Sequence, residues 1–379
     1  MDADEVLAGV APLVAEGAVP GAIVGVRRRD GAAASIDLAA AGVTSPGGDV
    51  ALRTDAVVRL SSNTKPLIAA LALCLAADGL LALDEPVDRL VPELAHRRVL
   101  VRLDGEDVVP AHRPITVEDL LTMRMGFGFA VDEGPCPVLD RAVALGLGFG
   151  PPDPRGLPGP AEWLARFAGL PLLDQPGAAW RYELSYAVLG VLLARAAGRP
   201  LGEVLTERIL APLGMTATGF VADPTRLVPA FARDEDDALV PFDGVTDSHW
   251  LAPPAFPDGR GGLAGTAGDL LRFAGMLLDD GGGLLDPAAV AAMTTDHLTP
   301  AQRVAPGAVP FLDGGGWGLG VGVVGTAAGP RYGWAGGLGT LWYSWPDHDL
   351  AAVLVTQVFP PTASVFAAFT ATVERALVR

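Results

Sequence analysis

Strand-like segments stand at both ends of this chain with a long helical stretch between them, and this pattern restricts the fold more than any other feature. Ala22 to Arg29 and Ser35 to Ala41 read as strands of a hairpin around Arg29-Asp30-Gly31, after an opening helix over residues 3–17. Near the other end, Trp317 to Val324, Leu338 to Trp345 and Leu350 to Gln357 read as three strands, and Ala363 to Val378 as a closing helix. The middle differs. Apolar helical patterns recur at Leu67 to Ala77, Val117 to Met123, Ala161 to Ala168, Ala187 to Ala197 and Leu201 to Leu210. The simplest assembly is an α+β fold, in which one antiparallel sheet is built from both chain ends, terminal helices flank it, and a mostly helical domain is inserted. The expected division is 1–60 with 262–379 for the discontinuous sheet domain and 61–261 for the inserted domain. Pro/Gly-rich runs at Gly150 to Pro160, Pro253 to Gly265 and Pro306 to Gly316 read as long loops rimming a cleft between the two.

Composition narrows the partners. A formal charge of −17 repels phosphate backbones and anionic lipid at long range, so nucleic acid and membrane surfaces are not expected and a small-molecule substrate is. The longest apolar run, Leu67 to Ala77, stops at Asp78-Gly79, well short of the about 20 residues that cross a bilayer. The opening Met-Asp-Ala-Asp-Glu has no basic segment before an apolar run, and a cytoplasmic location is expected. Cys74 and Cys136 make neither a disulfide framework nor a metal-ligand spacing. The oligomeric state stays open.

Of the 27 basic residues, Lys65 alone is a lysine. Arg substitutes for Lys at ordinary surface positions, but a guanidinium cannot give up its proton in a protein and a desolvated ammonium can. Lys65 belongs to the run Arg59-Leu60-Ser61-Ser62-Asn63-Thr64-Lys65-Pro66, which leads into the apolar segment Leu67 to Ala77. Ser62 would sit at the first turn of that helix, where unpaired N–H groups and the positive dipole end stabilise an oxyanion. Lys65, three residues on, shares its face. On these residues alone two readings stay open: a nucleophile with its base, or a serine cap followed by a polar first-turn residue. A serine hydroxyl needs a base to react near neutral pH. His96, His112, His249, His297 and His348 all fall in apparent loops or segment ends, and no Gly-x-Ser-x-Gly elbow occurs, so a Ser-His-Asp triad is not expected.

Ser62-Asn63-Thr64-Lys65, followed by Asp78-Gly79-Leu80-Leu81-Ala82-Leu83-Asp84-Glu85-Pro86-Val87, resembles the serine β-lactamase and penicillin-binding-protein superfamily, in particular its class C β-lactamase and esterase branch. Ile115 to Thr122 and Gly262 to Leu278 resemble later blocks of that branch, so the likeness spans nearly the whole chain. Pro176-Gly177-Ala178-Ala179-Trp180-Arg181-Tyr182 resembles its second motif and implies Tyr182 as the catalytic tyrosine. Trp334-Ala335-Gly336-Gly337 stands where the superfamily carries Lys-Thr-Gly or His-Thr-Gly on a strand, and Trp-x-Gly is similar to its family VIII carboxylesterases. The resemblance implies a β-lactamase/transpeptidase-like fold, catalysis by Ser62, Lys65 and Tyr182, and an oxyanion hole from the N–H groups of Ser62 and Gly337. It further implies substrate contacts from Trp334, Gly336 and Leu184, with no metal or cofactor. Two departures bear on substrate. Leu184 replaces the amide of Tyr-x-Asn, and Trp334 replaces a cation with one neutral donor. Both point to hydrolysis of small neutral esters. A β-lactamase or peptidase using the same residues, an acyltransferase to a small alcohol and a non-catalytic penicillin-binding-like module are the alternatives.

Overall fold

The structure is a computed structural model that describes residues 1–379 apart from Ala32, Asp132, Asp313 and Arg379. Seven strands form one sheet: β1 (Gly21–Asp30), β2 (Ala33–Gly42), β3 (Gly316–Trp317), β4 (Gly322–Thr326), β5 (Gly329–Gly336), β6 (Thr340–Trp345) and β7 (Leu350–Val355). Their spatial order is β2-β1-β7-β6-β5-β4-β3, and every neighbouring pair is antiparallel. The two ends of the chain meet where β1 pairs with β7, in a register running from Ile23 opposite Val355 to Arg28 opposite Leu350.

The sequence of β7, Leu-Ala-Ala-Val-Leu-Val, does not alternate because both of its faces are covered. Leu350, Ala352 and Leu354 pack with Val6, Val10, Phe369 and Val373 from the terminal helices α1 (Ala3–Ala15) and α5 (Ala363–Leu377). Ala351, Val353 and Val355 turn the other way, into a core shared with α2 (Thr64–Ala77), α3 (Ser185–Ala197) and α4 (Ala267–Leu278). The sheet is therefore the middle of three layers. Asp2 and Glu5 start α1 with reciprocal side-chain-to-backbone bonds. No described helix is long and apolar enough to cross a membrane.

The α+β expectation holds, with differences in detail. Strand β5 falls in a Gly-Pro-Arg-Tyr-Gly-Trp-Ala-Gly run that shows no strand pattern, yet it is an interior strand of the sheet. Gly333 explains why glycine is required there: it has φ of +151°, and a Cβ on it would run into the Trp342 carbonyl on the neighbouring strand. The stretch expected as a single strand from Trp317 to Val324 is broken by a turn into β3 and β4. The middle of the chain is not wholly helical, since Arg98–Leu100 pairs with Val108–Pro110 and Ala230–Arg233 with Leu239–Asp243. The segment expected as one helix over Leu201 to Leu210 is α-helical only to Leu205 and continues as a wider π turn.

Candidate active site

Helix α2 is buried on every side from Thr64 to Leu75. Ser62 precedes it in a 3-10 turn, Ser61–Asn63, rather than in its first α turn. That turn's bonds are donated by Asn63 to the Leu60 carbonyl and by Thr64 to the Ser61 carbonyl, leaving the Ser62 N–H unused by the turn. No side chain caps the helix, so neither serine serves as a cap. Ser61 has φ of +49°, a left-handed conformation that costs a residue with a Cβ about 1–3 kcal/mol and is stored here beside the nucleophile position.

Three connections hold this turn in place. The Leu60 N–H donates to the Leu263 carbonyl at 2.8 Å, which lays the 258–265 segment alongside. Thr340, at the start of β6, donates its hydroxyl proton to the Leu60 carbonyl at 2.9 Å and accepts from the Asn63 amide at 2.9 Å. Gly336, at the end of β5, packs face to face with the Leu60–Ser61 backbone, and a Cβ there would lie 2.5 Å from the Leu60 carbonyl oxygen. Gly337 follows beside Ser61, whose Oγ would be 3.6 Å from a Cβ on that glycine. Among the described residues the Gly337 N–H donates to no backbone carbonyl.

Lys65 is fully buried. Its Nζ donates to Ser62 Oγ at 2.9 Å and to the Arg260 carbonyl at 2.8 Å, and lies 4.6 Å from the centre of the Tyr182 ring. Burial disfavours its ammonium and brings the pKa from 10.5 to about 8, although nearby Glu183 and Asp258 pull upward. Tyr182 is held at its backbone, where its carbonyl accepts from the Phe129 N–H at 2.7 Å. Burial and the neighbouring Glu183 carboxylate push its phenol above the usual tyrosine range, against hydrogen bonds with Ser62 and Trp334 that pull it down. The hydroxyl, amine and phenol expected from the sequence thus converge on one point.

The other expected contacts are placed differently. The Trp334 N–H donates to the Tyr182 phenol oxygen at 2.7 Å, and its ring packs edge-on against Trp317 at 4.6 Å, so its one donor faces the tyrosine rather than open space. Gly336 faces the Ser61 backbone. Leu184 is fully buried at the start of α3 and does not line the cavity that holds Ser62, because the helix begins there and turns its apolar side chain into the core. Its neighbour Glu183 takes the cavity side instead.

That cavity, of about 240 Å³, is lined by Ser62, Glu183 and Arg260 together with Phe149, Pro152 and Leu157. Two of the three loops expected to rim a cleft supply this wall, and the third contributes Phe311, stacked on Tyr182 at 4.6 Å. Glu183, Asp258 and Arg260 escaped the sequence reading. Glu183 Oε1 is 4.0 Å from Lys65 Nζ, and burial raises its pKa. Arg260 and Asp258 form a buried ion pair at 2.7 Å, and Arg260 reaches the Gly148 carbonyl. The adjacency of Glu183 to Tyr182 was the only available signal; Asp258 and Arg260 come near the lysine only through folding.

A serine hydroxyl 2.9 Å from a buried lysine, beside a sheet flanked by helices, is an arrangement suited to a serine hydrolase. Comparison with known proteins narrows the class: residues 8–377 match the family model described as Beta-lactamase, and the chain belongs to that family. It is 38% identical over 332 residues to an uncharacterised protein of Mycobacterium tuberculosis, covering 82% of this chain and 80% of the other. It is 34% identical to Esterase EstB of Burkholderia gladioli, over 68% of this chain and 66% of that one. Among solved structures it is similar to EstCE1, described as a hydrolase with promiscuous acyltransferase activity, with a TM-score of 0.80, 25% identity and 98% of both chains covered.

Proposed function

We propose that the chain cleaves small neutral carboxylic esters in two steps, with Ser62 acylated in the first. The observation that carries the reading is the 2.9 Å contact between Ser62 Oγ and an Nζ that burial holds near pKa 8. The lysine is then the resting base, since the phenol is pushed the other way. Ser62 Oγ attacks the ester carbonyl and its proton passes to Lys65. The N–H groups of Ser62 and Gly337 receive the oxyanion, and Tyr182 relays a proton to the departing alcohol. Water then cleaves the acyl-enzyme. The site lies in the cleft between a sheet domain, 1–60 with 262–379, and a helical domain, 61–261.

Charge supports the choice of substrate. The Trp334 donor is occupied by Tyr182, Arg260 is occupied by Asp258, and Glu183 adds a carboxylate to the wall, so an anionic β-lactam finds no free cation among these groups. A cytoplasmic location fits two buried, free thiols. Transfer to an alcohol is the second reading, favoured by the likeness to EstCE1. Turnover of p-nitrophenyl butyrate against a chromogenic cephalosporin tests the main one. The ester is expected to turn over and Ser62→Ala to lose it; turnover of the cephalosporin alone would contradict the substrate assignment.

A further inference from the structure

We propose that Glu183 is the base that activates water to release the acyl group from Ser62. The proposal rests on the acyl-enzyme reading above and names a residue for its second step.

Position comes first. Glu183 Oε1 lies 4.0 Å from Lys65 Nζ, and that nitrogen lies 2.9 Å from Ser62 Oγ, so the carboxylate is within about 7 Å of the acylated atom. One water with a hydrogen bond on each side spans roughly 5–6 Å. Ser62 and Glu183 line the same cavity, whose about 240 Å³ leaves space for such a water beside a short acyl chain.

The second observation is independent of position. Glu183 Oε2 is buried and has no hydrogen-bond partner among the described residues. An orphaned carboxylate oxygen is costly, and a water admitted during turnover would satisfy it. The polar groups around the carboxylate are the Lys65 ammonium, the Arg260–Asp258 pair, the Tyr182 phenol and the Gly150 N–H. Burial sets its basicity above that of an exposed carboxylate, while Lys65 and Arg260 keep the ionised form accessible.

The step balances. A water proton moves to Glu183 as the water oxygen bonds to the acyl carbon. Lys65 is neutral at this stage, its acylation proton having left with the alcohol through Tyr182, and Glu183 passes the water proton to it across the 4.0 Å gap. The bond from the acyl carbon to Ser62 Oγ then breaks, Oγ takes that proton from Lys65, and the carboxylic acid leaves with Lys65 neutral and Glu183 ionised again.

The test is stopped-flow cleavage of p-nitrophenyl butyrate by the full chain and by Glu183→Gln. The variant should keep a burst of one p-nitrophenol per enzyme and lose roughly 10²–10³-fold of its steady-state rate. A butyryl adduct should accumulate on the Ser62 peptide, and hydroxylamine, which attacks without a base, should restore turnover. A burst and steady state that fall together would mark Glu183 as a mere counter-ion, and an unchanged steady state would equally overturn the proposal. If Glu183→Gln does not fold, decay of the wild-type acyl-enzyme against pH decides: decay that slows as a carboxylate protonates supports the role, and a flat profile ends it. A wild type with neither burst nor Ser62 adduct would instead remove the acyl-enzyme reading itself, and this proposal with it.

Discussion

Replacing Trp334 with Phe separates two roles for one side chain. The Trp334 N–H meets the Tyr182 oxygen at 2.7 Å with both residues buried, at 9% and 6% exposure, so solvent has little access to replace a lost donor. Loss of a buried hydrogen bond of this kind costs about 1–3 kcal/mol. If the bond aims the phenol in the transition state of acylation, the rate of the p-nitrophenol burst from p-nitrophenyl butyrate falls about 5- to 150-fold while ester binding, read from the concentration dependence of that burst, stays put. Phe keeps an aromatic edge against Trp317, packed at 4.6 Å, but leaves a void where the larger ring was, so stability drops by about 1–3 kcal/mol without loss of fold. Stopped-flow burst kinetics with a thermal melt on each protein reads both effects. An unchanged burst rate at saturating ester with weaker ester binding would instead make Trp334 a substrate contact, as the sequence suggested, and refute the positioning role.

Three further outcomes follow from the same geometry. Because Lys65 must be neutral to accept the Ser62 proton and its pKa sits near 8, kcat/KM should rise about tenfold per pH unit below that value and level off above it; a limb set far from 8 would exclude Lys65 as the base. In Gly336→Ala the new Cβ meets the Thr340 hydroxyl and lies 2.5 Å from the Leu60 carbonyl, so activity should fall sharply and stability by about 1–3 kcal/mol, and wild-type kinetics in this variant would contradict the packing described. Arg59 is fully buried, with Nε 2.9 Å from Asp243, and Arg59→Ala should cost about 3–5 kcal/mol in urea unfolding by stranding that carboxylate, whereas a loss under 1 kcal/mol would show the pair to be dispensable.

Much of this was legible in the chain itself. The terminal hairpin and β7 carry apolar, β-rich patterns that match the observed strands to within a few residues, because burial there is local to each strand. Strand β5 was hidden because its glycines serve neighbours distant in sequence: Gly333 admits the Trp342 backbone and Gly336 admits that of Leu60. Ser62 and Lys65 could be read together because one turn separates them, and Tyr182 only through its resemblance to a known motif. What the sequence could not convey was direction. It placed Leu184 at the substrate and Trp334 facing it, whereas helix α3 draws Leu184 inward and the phenol takes the Trp334 donor. Asp258 and Arg260 reach the site through a strand pairing, Val58–Arg59 with Ala264–Gly265, that has no signature in either segment.

The central claim is that one hydroxyl carries the acyl group, and intact-mass analysis of the protein quenched during turnover of p-nitrophenyl butyrate tests it directly. The account predicts one butyryl group per chain, mapped to the peptide holding Ser62 and absent from Ser62→Ala. An adduct on another residue, or the same adduct in Ser62→Ala, would contradict it.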